Sequence, residues 1–129
     1  MLPDDISLHD AGISVIERHG RDIVLHVDHV RVPRAGGTPL VPADDCDMAT
    51  GTVTIVGVRS VIVNDEPADG IVMAGDDCEI LYLDWKGHGR VEAFIIWCRY
   101  NPRSVDNVHY RIECDDLVWT QTGLMPPES

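Results

Sequence analysis

An all-β fold is what the sequence predicts, on three observations. Apolar residues recur with period two, Val, Ile and aromatic residues dominate those runs, and no i, i+3, i+4, i+7 pattern persists over three helical turns. Strict alternation suits a pleated strand, whose successive side chains point to opposite faces. The expected architecture is a single domain spanning residues 1–129: one antiparallel meander of about seven strands with little helix, closed as a barrel or folded over as a sandwich.

The first strand reads from Ile13 to Arg18 and the second from Ile23 to Val32, with Ile23, Leu25 and Val27 on one face and His19-Gly20-Arg21-Asp22 turning between them. Together they make a hairpin. Residues 33–51 hold Pro33, Gly36, Gly37, Pro39, Pro42 and Gly51, too many breakers for a strand interior, so an irregular stretch is expected, with room for one helical turn near Asp44–Met48. From Thr52 to Val63 the pattern is β again, with Gly57 marking a bulge or bend where the strand coils across two sheets. Ile71–Met73 reads as a short strand, Gly75-Asp76-Asp77 as a turn, and Cys78–Trp85 as a longer strand. Lys86-Gly87-His88-Gly89 turns into Arg90–Tyr100, whose Phe94, Ile95, Ile96 and Trp97 suggest burial on both faces. The last strand runs from Val108 to Trp119, and residues 120–129 read as a frayed tail. All seven aromatic residues lie between Tyr82 and Trp119, so the last three strands are expected to supply most of the core.

At 129 residues and 44% apolar composition, the chain can hide roughly two thirds of its surface without disulfides or metal. Its 10 basic residues against 22 acidic ones leave a charge of −12, which repels nucleic acid because affinity for phosphates depends on cationic side chains. The excess lies in the second half, with 13 acids and 5 bases after Asn64 against 9 and 5 before it. Arg outnumbers Lys nine to one, which suits bidentate carboxylate pairing on strands but equally a biased genome composition. No apolar run approaches the ~20 residues of a membrane-crossing helix, and Met1-Leu2-Pro3-Asp4-Asp5 has neither a basic nor an apolar region. A cytoplasmic protein without membrane contact is expected.

Catalytic signatures are sparse. Cys46, Cys78, Cys98 and Cys114 form no C-x-x-C pair and read as reduced, structural thiols. In His26-Val27-Asp28-His29, alternation puts His26 and Asp28 on one face and His29 on the other, a poor ligand set unless His9, Asp10 or His88 converge on it. Asp10 reads as an Asx cap on the turn before the first strand. There is no G-x-S-x-G elbow and no phosphate-binding glycine loop, and Asp45-Cys46-Asp47-Met48-Ala49 lacks the spacing of a calcium loop. No metal or cofactor is expected.

The acidic doublets are more distinctive. Asp44, Asp45 and Asp47, then Asp76 and Asp77, then Asp115 and Asp116 fall at inferred turns or strand ends, where a β domain can gather negative potential and steer a basic protein partner. The alternative is a small-molecule-binding barrel or hydrolase-like enzyme, its pocket between the sheets lined by Trp85, Trp97, Tyr110, His26 and His109. A third expectation is a homo-oligomer, because an open edge strand needs covering.

The stretches LHDAGISVIERHGRDIVLHVDHV (residues 8–30) and FIIWCRYNPRSVDNVHYRIECDDLVW (residues 94–119) resemble the opening hairpin and closing strands of small bacterial β-domain families, some classed as immunity proteins of polymorphic-toxin systems. The resemblance implies a non-catalytic, partner-binding role. It assigns no individual residue.

Overall fold

The structure, a computed structural model, describes residues 2–33 and 46–126. Among them are nine strands and no helix: β1 Gly12–His19, β2 Asp22–Pro33, β3 Cys46–Val56, β4 Ser60–Val63, β5 Glu66–Ala68, β6 Asp77–Gly87, β7 Arg90–Tyr100, β8 Arg103–Glu113 and β9 Asp116–Leu124. They form two antiparallel sheets, one ordered β1-β2-β3-β9 and the other β5-β4-β8-β7-β6. The expected seven strands become nine because two long runs break where the chain changes sheet, while the expected Ile71–Met73 is lost and Glu66–Ala68 is gained; the meander is interrupted at the two breaks.

Both crossings are visible in the backbone. Gly57 adopts φ 63°, a left-handed conformation that a side chain resists, and a Cβ there would collide with the Asp115 carboxylate. Its N–H donates to Asp22 Oδ1 at 2.9 Å. The chain thereby leaves β3 for β4, as the glycine suggested. Alongside, β8 gives way to β9 at Cys114-Asp115, and backbone bonds lace the two crossings: Arg59 N–H to Glu113 C=O (2.8 Å) and Asp115 N–H to Val56 C=O (2.7 Å). The Arg59 guanidinium pairs with Asp115 and donates to the Cys114 carbonyl at 3.0 Å.

Alternate residues of both sheets meet in one core. Leu25, Val53, Ile55 and Leu117 come from the first sheet, and Ile80, Val91, Ile95, Trp97 and Ile112 from the second, all fully buried. Each such aliphatic side chain contributes about 1.5–3 kcal/mol by leaving water. The aromatic-rich final strands do not dominate, since only Trp97 and Tyr110 among the seven aromatics are buried; the core is chiefly Val, Ile and Leu from every long strand. β7 is fully buried on one face only, with Phe94, Ile96 and Cys98 half-buried on the other. An aromatic or branched apolar run is compatible with either arrangement, because a half-covered outer face also accepts such residues.

Three further local expectations change. Cys46–Met48 is strand rather than helical turn, Ile71–Met73 is not a strand, and residues 120–124 pair with β3 rather than fray. Nor is there a closed barrel. The sheets join along one side, where Asp10 N–H donates to the Ile80 carbonyl (2.8 Å) and Ile80 N–H to the Ala11 carbonyl (2.9 Å); no ladder links β9 to the second sheet on the other side.

Candidate functional site

That seam between β1 and β6 holds a charged concavity, an open cleft of about 420 Å³ lined by Asp10, Gly12, Asp28, His29, Asp77, Cys78, Glu79 and Cys98. Local backbone chemistry builds it. The β2–β3 register moves from Val27 opposite Gly51 to Val30 opposite Ala49, so Asp28 and His29 face one residue, and the bulge redirects both. His29 takes φ 56°, its Nδ1 lies 2.8 Å from Asp28 Oδ1, and its N–H donates to Met125 Sδ at 3.2 Å. Asp10 is likewise left-handed, at φ 66°, which turns the chain into the seam. Gly12 leaves room for the opposite carboxylate, since a Cβ there would sit 2.8 Å from Asp28 Oδ1. From β6, Asp77 and Glu79 are exposed while Cys78 between them is buried.

Four carboxylates, one imidazole and two cysteines therefore line one cleft. Burial pushes the Cys78 thiol up to about 11; the N–H of Ile13, donated to Cys78 Sγ at 3.2 Å, opposes that, and Asp77 and Asp28 add to it. The thiol stays protonated near neutrality, so it is a poor nucleophile and a poor metal ligand. Among the described residues, no group of three or more His, Cys, Asp or Glu is arranged to hold a metal ion. What the cleft offers is a dense set of exposed acceptors for cationic donors.

The doublets expected to form one acidic rim are divided. Asp44 and Asp45 lie outside the described residues. Asp47 pairs with Val32 at the start of β3. Asp76 and Asp77 hold the end of β7: Asp76 Oδ2 accepts Tyr100 N–H at 3.1 Å, and Asp77 Oδ2 accepts the Tyr100 hydroxyl at 3.0 Å. Asp115 and Asp116 stand at the opposite end of the strands, Asp115 paired with Arg59 and Asp116 Oδ1 accepting Leu117 N–H at 2.8 Å. Of the five that are described, only Asp77 lines the cleft.

The five residues of the alternative pocket do not converge either. Trp97 and Tyr110 are core, joined by a 2.9 Å bond from Trp97 Nε1–H to the Tyr110 hydroxyl. His26 lies outward on the first sheet, 3.4 Å from Glu17, which also meets His19 at 2.9 Å. His109 lies outward on the second, its N–H donating to Asn64 Oδ1 at 2.9 Å. Trp85 borders a separate groove of about 490 Å³ between β6 and residues 2–9, where His9 Nδ1 lies 2.9 Å from the Leu81 carbonyl.

Of the charged cleft residues, Glu79 is the one that reading the sequence misses, while Asp28, His29 and Asp10 enter it only as a poor ligand set or a turn cap. Asp10 is no simple cap, since its carboxylate borders the cleft and approaches His9 Nε2 at 3.4 Å. The local clue was His26-Val27-Asp28-His29, but strict alternation sends His29 to the wrong face unless the bulge is known. No family model, curated protein or solved structure matches the chain.

Proposed function

We propose that this chain is a non-catalytic interaction domain, immunity-like in role, whose acidic cleft docks a basic protein. The convergence of Asp10, Asp28, Asp77 and Glu79 in one open concavity carries the reading. Carboxylates lining a depression over low-dielectric walls focus negative potential, speed encounter with a positive partner, and accept Arg or Lys donors on contact. A net charge of −12 extends that field around the molecule and disfavours nucleic acid as the partner. The reading places the domain in the cytoplasm, in keeping with the unbridged thiols of Cys78, Cys98 and Cys114. Among the described residues no helix is long and apolar enough to cross a membrane.

Affinity capture from the native cell tests it, with wild-type protein and the triple variant Asp28→Asn, Asp77→Asn, Glu79→Gln as parallel baits. A basic protein recovered by the first and lost by the second is the expected result. Equal recovery of the same proteins by both baits would refute docking at the cleft.

A further inference from the structure

Alternation gives each long strand of the second sheet one face in the core and one outside, and among the described residues no third layer of strands lies over the outer face. The centre of that face is nevertheless apolar. On β7, Phe94, Ile96 and Cys98 are half-buried and point away from the core that Ile95 and Trp97 enter. Tyr82 of β6 stacks on Phe94, with ring centroids 6.2 Å apart at 29°, and Val105 of β8, opposite Cys98, is 53% exposed. Register fixes what borders this strip. Asp77 stands opposite Cys98 and Glu79 opposite Ile96, and Asp77, Glu79 and Cys98 all line the cleft as well. Cleft and strip are therefore one continuous surface, folded over β6.

Charge is unevenly arranged across this face. Towards the Lys86–Gly89 turn the carboxylates have cations beside them: Glu92 stands opposite Arg111, Glu113 opposite Arg90, and Asp84 lies 3.8 Å from Lys86. At the cleft end Asp77 and Glu79 face a thiol and an apolar side chain instead, and the first basic residue in register is Arg103, one rank beyond Asp77 and opposite Tyr100. We infer that the strip of Phe94, Ile96 and Val105 is the apolar half of the docking surface, and that the basic partner presents an aromatic or aliphatic side chain flanked by Lys or Arg on the same face. The inference rests on the acidic cleft docking a basic protein, and adds the partner's apolar anchor. Neighbouring strands lie about 4.8 Å apart and alternate residues of one strand about 6.8 Å apart, so a side chain seated on Ile96 is one strand spacing from Glu79 and a diagonal from Asp77. Exposed ion pairs alone contribute little; an apolar contact beside them excludes water and slows dissociation. A second copy does not fit, because two molecules of charge −12 repel and this surface brings uncompensated carboxylates of its own.

Capped pentapeptides titrated into the isotope-labelled full chain and followed by NMR test this. The probes are Lys-Ser-Phe-Ser-Lys, whose alternate side chains share a face when extended, Lys-Ser-Ser-Ser-Lys, and Ser-Ser-Phe-Ser-Ser. The first is expected to bind about tenfold more tightly than the second and to shift the Ile96 and Val105 methyls and the Phe94 ring together with the Asp77 and Glu79 amides; the third is expected to shift none of them. Ile96→Thr, a change on the outer face, should bring the first peptide down to the affinity of the second and leave the second unchanged. Equal affinity of the two basic peptides, with shifts at Asp77 and Glu79 alone, overturns the apolar half and leaves the acidic cleft standing. Binding by neither overturns both. Binding of the third peptide as tightly as the first removes the charge pairing and overturns the inference. So do Ile96 and Val105 methyl shifts that change on dilution of the protein alone, which would make a second copy the occupant.

Discussion

Replacing Tyr110 by Phe isolates a buried side-chain to side-chain polar contact of the core. The Trp97 indole and Tyr110 are 1% and 2% exposed, and the 2.9 Å bond between them is a buried donor's route to satisfaction. Phe fills the same ring volume, so packing changes little and the effect reports the hydroxyl. Leaving the indole N–H without an acceptor costs about 1–3 kcal/mol. Unfolding entropy near 2.1 cal/mol/K per residue gives about 0.27 kcal/mol/K for a chain this long, so the midpoint should fall by roughly 4–11 °C. Burial holds the Tyr110 phenol above its ordinary range, although the Trp97 bond opposes this, so the hydroxyl stays protonated through neutral pH. Urea and thermal unfolding provide the assay, with exchange of the Trp97 indole proton as the local probe. A variant within about 0.5 kcal/mol of wild type, with that proton still protected, would show that the contact contributes nothing beyond ring packing.

Three other perturbations follow from particular contacts. Gly51→Ala should lower stability by about 1–3 kcal/mol in urea unfolding, because the new methyl overlaps the Trp119 ring and backbone O of Thr120; an unchanged midpoint would contradict the packing described. Cys78 should react with a thiol reagent at pH 8 at least about a hundredfold more slowly than a free cysteine, because its thiol is pushed from 9.0 to about 11 and buried; labelling at the free rate would contradict its environment. Glu17 is held below its usual 4.5 by hydrogen bonds to His19 and then His26, so its contribution is present above that value and is lost as pH falls through the lowered one. The stability difference between wild type and Glu17→Gln should therefore shrink below about pH 4.5 in thermal melts, and a difference that grows on acidification would contradict the sign.

Where alternation is regular the sequence is a good guide. The β1–β2 hairpin, the inward face of Ile23, Leu25 and Val27, the Gly57 bend and the Lys86–Gly89 turn were all legible, because each rests on a local rule of pleat or turn. What escaped depends on distant partners. Thr120–Leu124 is polar and glycine-containing, and becomes strand only because β3 lies beside it. Cys46–Met48 joins a ladder with β2 for the same reason. The cleft is the clearest case, since Asp10, Asp28 and Glu79 are far apart in the chain and meet only where two sheets touch. Asp77 borders the cleft, whereas strand direction carries Asp115 and Asp116, which composition groups with it, to the other end.

Docking of a basic partner at the β1–β6 seam requires negative potential to be greatest there. Paired cationic and anionic nitroxide cosolutes, read by paramagnetic relaxation of assigned amides, measure that potential residue by residue. The amides of Gly12, Asp28, Asp77 and Glu79 should show the strongest excess of cationic over anionic relaxation, falling towards background in the triple cleft variant. A maximum at Asp115 and Asp116, or an even distribution over the surface, would contradict it.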